Sequence, residues 1–231
     1  MDEYAALQAY EQGDLLAAIV RVTPAAEALR AGATVASLGA VIELMTASQP
    51  AAENRTALGT LGAVADVVKA LREAAAPGGD QRVLGKAALA VNELMFGHPA
   101  NAAAAAAAGA AEALVLAVRG GDAPDQSTLP NALGAMGSLV NRHPARKEAA
   151  GAAGAVEAVV AVLRAHPDTE ETQRLACNAL WGLVFDCDAN AARAQSAGAR
   201  APVEAARARF PENKGGSTMI QETTGNLLTR L

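Results

Sequence analysis

Basic charge, cysteine and aromatic residues are all scarce in this chain. Lys and Arg together number 19 against 24 Asp and Glu, a formal net charge of -5 in 231 residues. A nucleic-acid groove needs clustered Lys and Arg to neutralise phosphates, so that class of partner is not expected. The two cysteines, Cys177 and Cys187, show no CxxC spacing; free thiols in a reducing compartment are the expectation. No uninterrupted apolar run reaches the ~18 residues that span a bilayer. The longest candidate, 102–118, is mostly alanine and carries Glu112. The opening "MDEYAALQAY" lacks the basic and apolar regions of a secretory leader. A soluble intracellular chain, cytoplasmic by default and without direct membrane insertion, is therefore expected. Aromatics make up only 3%, while 52% of residues are apolar. Most of that apolar content is alanine, which favours helix and lets helices approach closely.

What the chain does have is internal repetition. Gly13, Gly62, Gly109, Gly154 and Gly198 are spaced 49, 47, 45 and 44 residues apart. Similar strings follow them: "GDLLAAIVRV", "GAVADVVKAL", "GAAEALVLAV", "GAVEAVVAVL" and "GARAPVEAAR". About thirty residues after each glycine comes an L-x-x-L-like step: "VIEL", "VNEL", "MGSL", "LWGL" and "LTRL". The middle copies then repeat a corner, seen in "NELMFGHPAN", "GSLVNRHPAR" and "WGLVFDCDAN".

Each unit reads as three helices. The first is expected to begin at a polar residue after the corner, at Asn54, Asn101, Arg146 or Asn190, where Asn can cap free N–H groups. It is expected to end at the recurring glycine, which tolerates a left-handed backbone. The second helix carries apolar residues at i, i+3 and i+4, as in Val64, Val67, Val68 and Leu71, or Val156, Val159, Val160 and Leu163. The third and longest helix runs to the L-x-x-L step, with Pro50, Pro99 and Pro144 as stop signals. The units fall at 1–50, 51–99, 100–144, 145–188 and 189–231, within one domain over 1–231. At the far end Leu227, Leu228 and Leu231 are expected to have a neighbour on one side only.

The Gly-Ala-Val openings at 62–64 and 154–156, with third-helix strings "QRVLGKAALAVNELM" and "TQRLACNALWGLV", resemble the armadillo repeat family. The resemblance covers nearly the whole chain and is weakest over 1–50 and past Phe210. It implies an all-α, armadillo-like right-handed superhelix (α-solenoid) of about five three-helix repeats. The third helices of such a solenoid line a concave groove that binds extended peptides or partner proteins. The physics agrees: one unit cannot bury its own apolar faces, so units stack.

Peptide-clamping members of that family place a Trp and, four residues later, an Asn along each third helix. Here the Asn place holds Glu43, Glu93, Ser138, Gly182 and Arg230, and the Trp place holds Gly39, Leu89, Gly134, Asn178 and Asn226. The peptide-holding asparagine ladder is absent. Trp181, the only Trp, falls beside the Asn position. It reads either as a packing residue or as a partner anchor, since Trp is enriched at binding hot spots. Trp181, Asn178, Asn92, Glu93 and Ser138 are the candidate partner-binding residues.

His98 and His143 occupy equivalent corners. Equivalent points in stacked helices lie ~8–10 Å apart, whereas ligands of one zinc bonded at ~2.0–2.3 Å must be closer. No metal, cofactor or catalytic residue is expected. "NKGGST" (213–218) lacks the residue order of a phosphate loop and reads as a flexible loop. The expected function is a non-enzymatic interaction scaffold, or a structural subunit of a larger assembly, binding one or more proteins and no small-molecule substrate. A groove-type adaptor for linear peptides, and an enzyme or lyase on a helical-repeat scaffold, stand as alternatives. The assigned faces predict a loss of about 2–5 kcal/mol for Leu183→Ala and under about 0.5 kcal/mol for Glu93→Ala.

Overall fold

The computed structural model describes residues 3–46, 50–120, 127–211 and 218–231, and every element in them is a helix. The loop 121–126, the corner 47–49 and most of "NKGGST" lie outside the described residues. The first unit is α1 (Glu3–Ala31) and α2 (Val35–Thr46). The second is α3 (Ala51–Thr60), α4 (Ala63–Ala75) and α5 (Gln81–Met95), and the third α6 (Pro99–Ala107), α7 (Ala110–Arg119) and α8 (Thr128–Val140). The fourth is α9 (Pro144–Ala152), α10 (Ala155–Ala165) and α11 (Glu170–Val184). The last is α12 (Asp188–Ser196), α13 (Arg200–Arg209) and α14 (Thr218–Leu228).

The amphipathic pattern places the core. Val64, Val67, Val68 and Leu71 of α4, and Val156, Val159, Val160 and Leu163 of α10, are all buried. Each such side chain contributes roughly 1.5–3 kcal/mol of transfer free energy when fully covered. The third helices α2, α5, α8, α11 and α14 pack in series, and so do the second helices α4, α7, α10 and α13. Leu227 is buried against this stack, while Leu228 and Leu231 are half-buried at its edge. Between first and second helices, Gly62, Gly109, Gly154 and Gly198 adopt φ values of +81°, +81°, +88° and +67°. A side chain there would be strained, which is why one glycine marks every such corner.

Three expectations need correction. Gly13 is not a corner: α1 runs continuously through it, so the first unit has two helices rather than three. An isolated glycine inside a helix costs only about 1 kcal/mol, and no proline precedes this one. The first helices also begin earlier than Asn54, Asn101, Arg146 and Asn190, at Ala51, Pro99, Pro144 and Asp188. Pro99 and Pro144 start helices as well as ending the previous run, because the first turn needs no N–H from them. The caps at those two starts are histidines: His98 Nδ1 accepts from the Asn101 N–H at 3.2 Å and His143 Nδ1 from the Arg146 N–H at 3.4 Å.

The displaced asparagines do a different job. Buried Asn101 donates its amide to Leu94 O (2.8 Å) and to Arg55 O in the preceding unit (3.1 Å). Buried Asn190 donates likewise to Leu183 O (3.0 Å) and Lys147 O (2.8 Å). Asn54 donates to Leu44 O at 2.6 Å. Each amide satisfies a carbonyl left over at a third-helix end and fastens two units together. On the opposite side, Arg30, Arg72 and Arg164 donate from their helices to Leu61 O, Ala108 O and Ala197 O at 2.5–2.6 Å. Those carbonyls terminate the first helix of the next unit, where a cation is favoured by the helix dipole.

Candidate functional site

Serial packing of the third helices makes one continuous face, and the expected partner-binding residues sit on or beside it. Ser138 Oγ of α8 donates to Asn92 Oδ1 of α5 at 3.0 Å. Thr223 Oγ1 of α14 donates to Asn178 Oδ1 of α11 at 3.0 Å. These hydrogen bonds tie one third helix to the next, so Asn92, Ser138 and Asn178 already have partners inside the fold. Glu93 is engaged as well. Arg55 reaches its carboxylate at 3.3 Å and its backbone carbonyl at 2.7 Å, with both side chains largely covered. The carboxylate is thus part of a structural ion pair, which raises the cost expected for Glu93→Ala to about 1 kcal/mol.

Trp181 is half-buried, and its ring lies 4.8 Å from that of Phe185 at a tilt of 46°. Lys147 lies 5.2 Å over the Phe185 ring and donates to Phe185 O at 2.5 Å. This aromatic pair borders a pocket of about 510 Å³ with Asn141, Arg142 and Asn178. A groove of about 780 Å³ runs beside it along α8, between the α5–α6 corner and α11. Ser138 and Asn178 line that groove, whereas Asn92 and Glu93 do not. The two cavities share Gly137, Asn141, Arg142 and Asn178, so they form a single surface over the third and fourth units.

Sequence reasoning missed four residues of this surface as partner-binding candidates: Phe96, Arg142, Arg146 and Phe185. Phe96 and Phe185 are 65% and 43% exposed, unusual for rings in a chain so poor in them. Arg142 holds φ +50° at the corner position that Gly97 fills with φ +64° one unit earlier. The signal for Arg146 was visible in the sequence, because it alone replaces Asn in the column Asn54, Asn101, Arg146, Asn190.

A larger cavity of about 970 Å³ lies between α1 and α2. Small residues such as Ala25, Ala28 and Ala40 line it, and Arg21 Nε is bonded to Asn54 Oδ1 at 2.9 Å. None of its lining residues carries a buried unpaired polar atom. It offers volume without specific chemistry.

Among the described residues, no three His, Cys, Asp or Glu side chains come together to hold a metal ion. Burial pushes the Cys177 thiol up to about 12, opposite to what a nucleophile requires. No single described helix is long and apolar enough to cross a membrane; α6 and α7 together have the length but are bent by 81°.

No family model matches this sequence, and no curated protein matches it. The fold does have solved counterparts. A designed armadillo repeat protein in complex with the peptide (KR)4 superposes with a TM-score of 0.69 at 18% identity, over 100% of this chain and 95% of that one. A structure described as a conserved phosphorylation switch controlling the interaction between cadherin and beta-catenin gives 0.75 at 15% identity, over 100% of this chain and 42% of that one. An armadillo-repeats-only protein from Plasmodium falciparum gives 0.68 at 13% identity, over 85% and 79%. At these identities the likeness establishes the fold: an armadillo-like α-solenoid.

Proposed function

We propose that this armadillo-like solenoid is a non-enzymatic scaffold that binds a partner protein along the face of its third helices. The observation that carries this reading is the exposed aromatic and basic surface over α8 and α11, built from Phe96, Arg142, Trp181 and Phe185. Exposed rings and arginines beside a pocket are the usual anchors of protein interfaces. The counterparts named above support the reading, since one holds a peptide and another belongs to an interaction with cadherin. An asparagine ladder of the peptide-clamping kind does not contribute. Its places hold Glu43, Glu93, Ser138, Gly182 and Arg230, and the neighbouring Asn92 and Asn178 amide oxygens accept bonds within the fold.

The test is affinity capture from the native source, repeated with Trp181→Ala and Phe185→Ala. A stoichiometric partner that these variants lose, with helicity unchanged, is the expected result, each ring contributing roughly 2 kcal/mol or more if it is an anchor. A partner that survives both changes but is lost with Leu116→Glu, an exposed position on the second-helix face, would place binding on the wrong side for this reading.

A further inference from the structure

The staples at Asn101 and Asn190 fit because the preceding first helix leaves room for them. Gly59 faces Asn101, and Gly151 faces Asn190; a methyl group added at either glycine would overlap the facing carboxamide. The equivalent place opposite residue 146 is Ala106, which carries that methyl. An Asn at 146 would collide there, and the chain has Arg146 instead. The longer side chain makes no staple. Its Nε and Nη1 are buried and have no hydrogen-bond partner. Burial alone lowers its pKa, yet a guanidinium stays protonated at neutral pH from any such starting value.

Covered N–H groups cost stability when nothing satisfies them, but Arg146 is only part-buried as a whole and its charge reaches the groove. Arg146 lines the 780 Å³ groove together with Arg142, His98 and His143, and not one Asp or Glu lines that groove. In a chain with an excess of acidic residues, such a surface free of carboxylates is selective for negative charge. The adjoining pocket has one acid, Asp186, and Arg230 already pairs with it at 3.3 Å. Phe96 lines the groove, and Trp181 and Phe185 line the adjoining pocket.

We propose that the groove along α8 receives an extended acidic segment of a partner protein, with an Asp or Glu carboxylate on Arg146 and Arg142 and a neighbouring apolar side chain against Trp181 and Phe185. This rests on the scaffold reading and adds the chemistry of what it binds. A carboxylate accepts charge-assisted hydrogen bonds from the part of the Arg146 guanidinium that borders the groove and from exposed Arg142, and an aromatic neighbour suits the flanking rings. The site coincides with one departure in the repeat: where the flanking interfaces have Gly59 with Asn101 and Gly151 with Asn190, this one has Ala106 and Arg146, a cation lining the groove.

Because Trp181 is the only Trp, its fluorescence reports on the pocket that adjoins the groove. Three synthetic octapeptides, alternating Phe with Glu, with Ser or with Lys, are titrated against the full chain at low and high salt. The Glu peptide is expected to bind at least about tenfold more tightly than the Ser peptide, the Lys peptide more weakly still, and the preference to shrink with salt. The double variant Ala106→Gly, Arg146→Asn rebuilds the staple and is expected to remove the preference. The single variant Arg146→Ala serves as a second probe that leaves Ala106 untouched, with circular dichroism confirming helicity in both. Equal binding of Glu and Ser peptides, no binding of the Glu peptide, tighter binding of inorganic phosphate, or a preference that survives both variants would overturn the proposal. A natural partner that still binds the Arg146 variants at full strength would do the same while leaving the scaffold reading intact.

Discussion

Two kinds of junction hold this solenoid together. Where Asn101 meets Gly59 and where Asn190 meets Gly151, a buried amide reaches two backbone carbonyls and closes the interface. Where the repeat has Arg146 and Ala106 in those two places, the side chain makes no such bonds and borders a groove. A single methyl group, present or absent on a first helix, separates a structural seam from a candidate binding surface. Repetition therefore marks what the stack needs, and the break in the repetition marks what the stack does not explain.

The sharpest test of that contrast uses the core as its scale. Leu183→Ala removes a fully buried side chain at the end of α11 and should cost about 2–5 kcal/mol. Asn190→Ala should come next, at about 2–3 kcal/mol, because Leu183 O and Lys147 O lose their donor. Asn101→Ala should behave the same way, and urea midpoints for the pair measure both. Glu93→Ala should cost about 1 kcal/mol by removing the ion-pair partner of Arg55, which keeps its bond to the residue 93 carbonyl. Arg146→Ala should change stability by no more than about 0.5 kcal/mol, or raise it. Equal losses at residues 101, 146 and 190 would erase the distinction between the junctions. A gain in the Ala106→Gly, Arg146→Asn double variant over Ala106→Gly alone would sharpen it, since the restored Asn then has room to bond.

Much of the fold could be read before any coordinates. The corner glycines, the second-helix valines and the five-fold recurrence all report local conformation or one-sided burial, and these are periodic in sequence. The first unit was misread for a related reason. Gly13 has the right spacing and the right following residues, but whether a glycine breaks a helix depends on what the two halves would pack against. The asparagines were misassigned because capping is a local rule, whereas Asn101 and Asn190 serve carbonyls in the preceding unit, 46 and 43 residues away. The groove residues divide in the same way. Trp181 stood out by rarity. Asn92, Ser138 and Asn178 were picked by register with no means of knowing that Asn92 pairs with Ser138 and Asn178 with Thr223. Phe96 and Phe185 show nothing in sequence that separates them from core rings.

By itself the sequence determined that helices form, where most of them turn and that they must stack, because propensity, left-handed glycines and apolar stripes act over a few residues. Only the tertiary structure decided which polar groups are spent on joining units and which are left facing a groove. That outcome depends on whether a methyl group on one helix fits against a side chain some forty residues further along, and no local pattern carries that information.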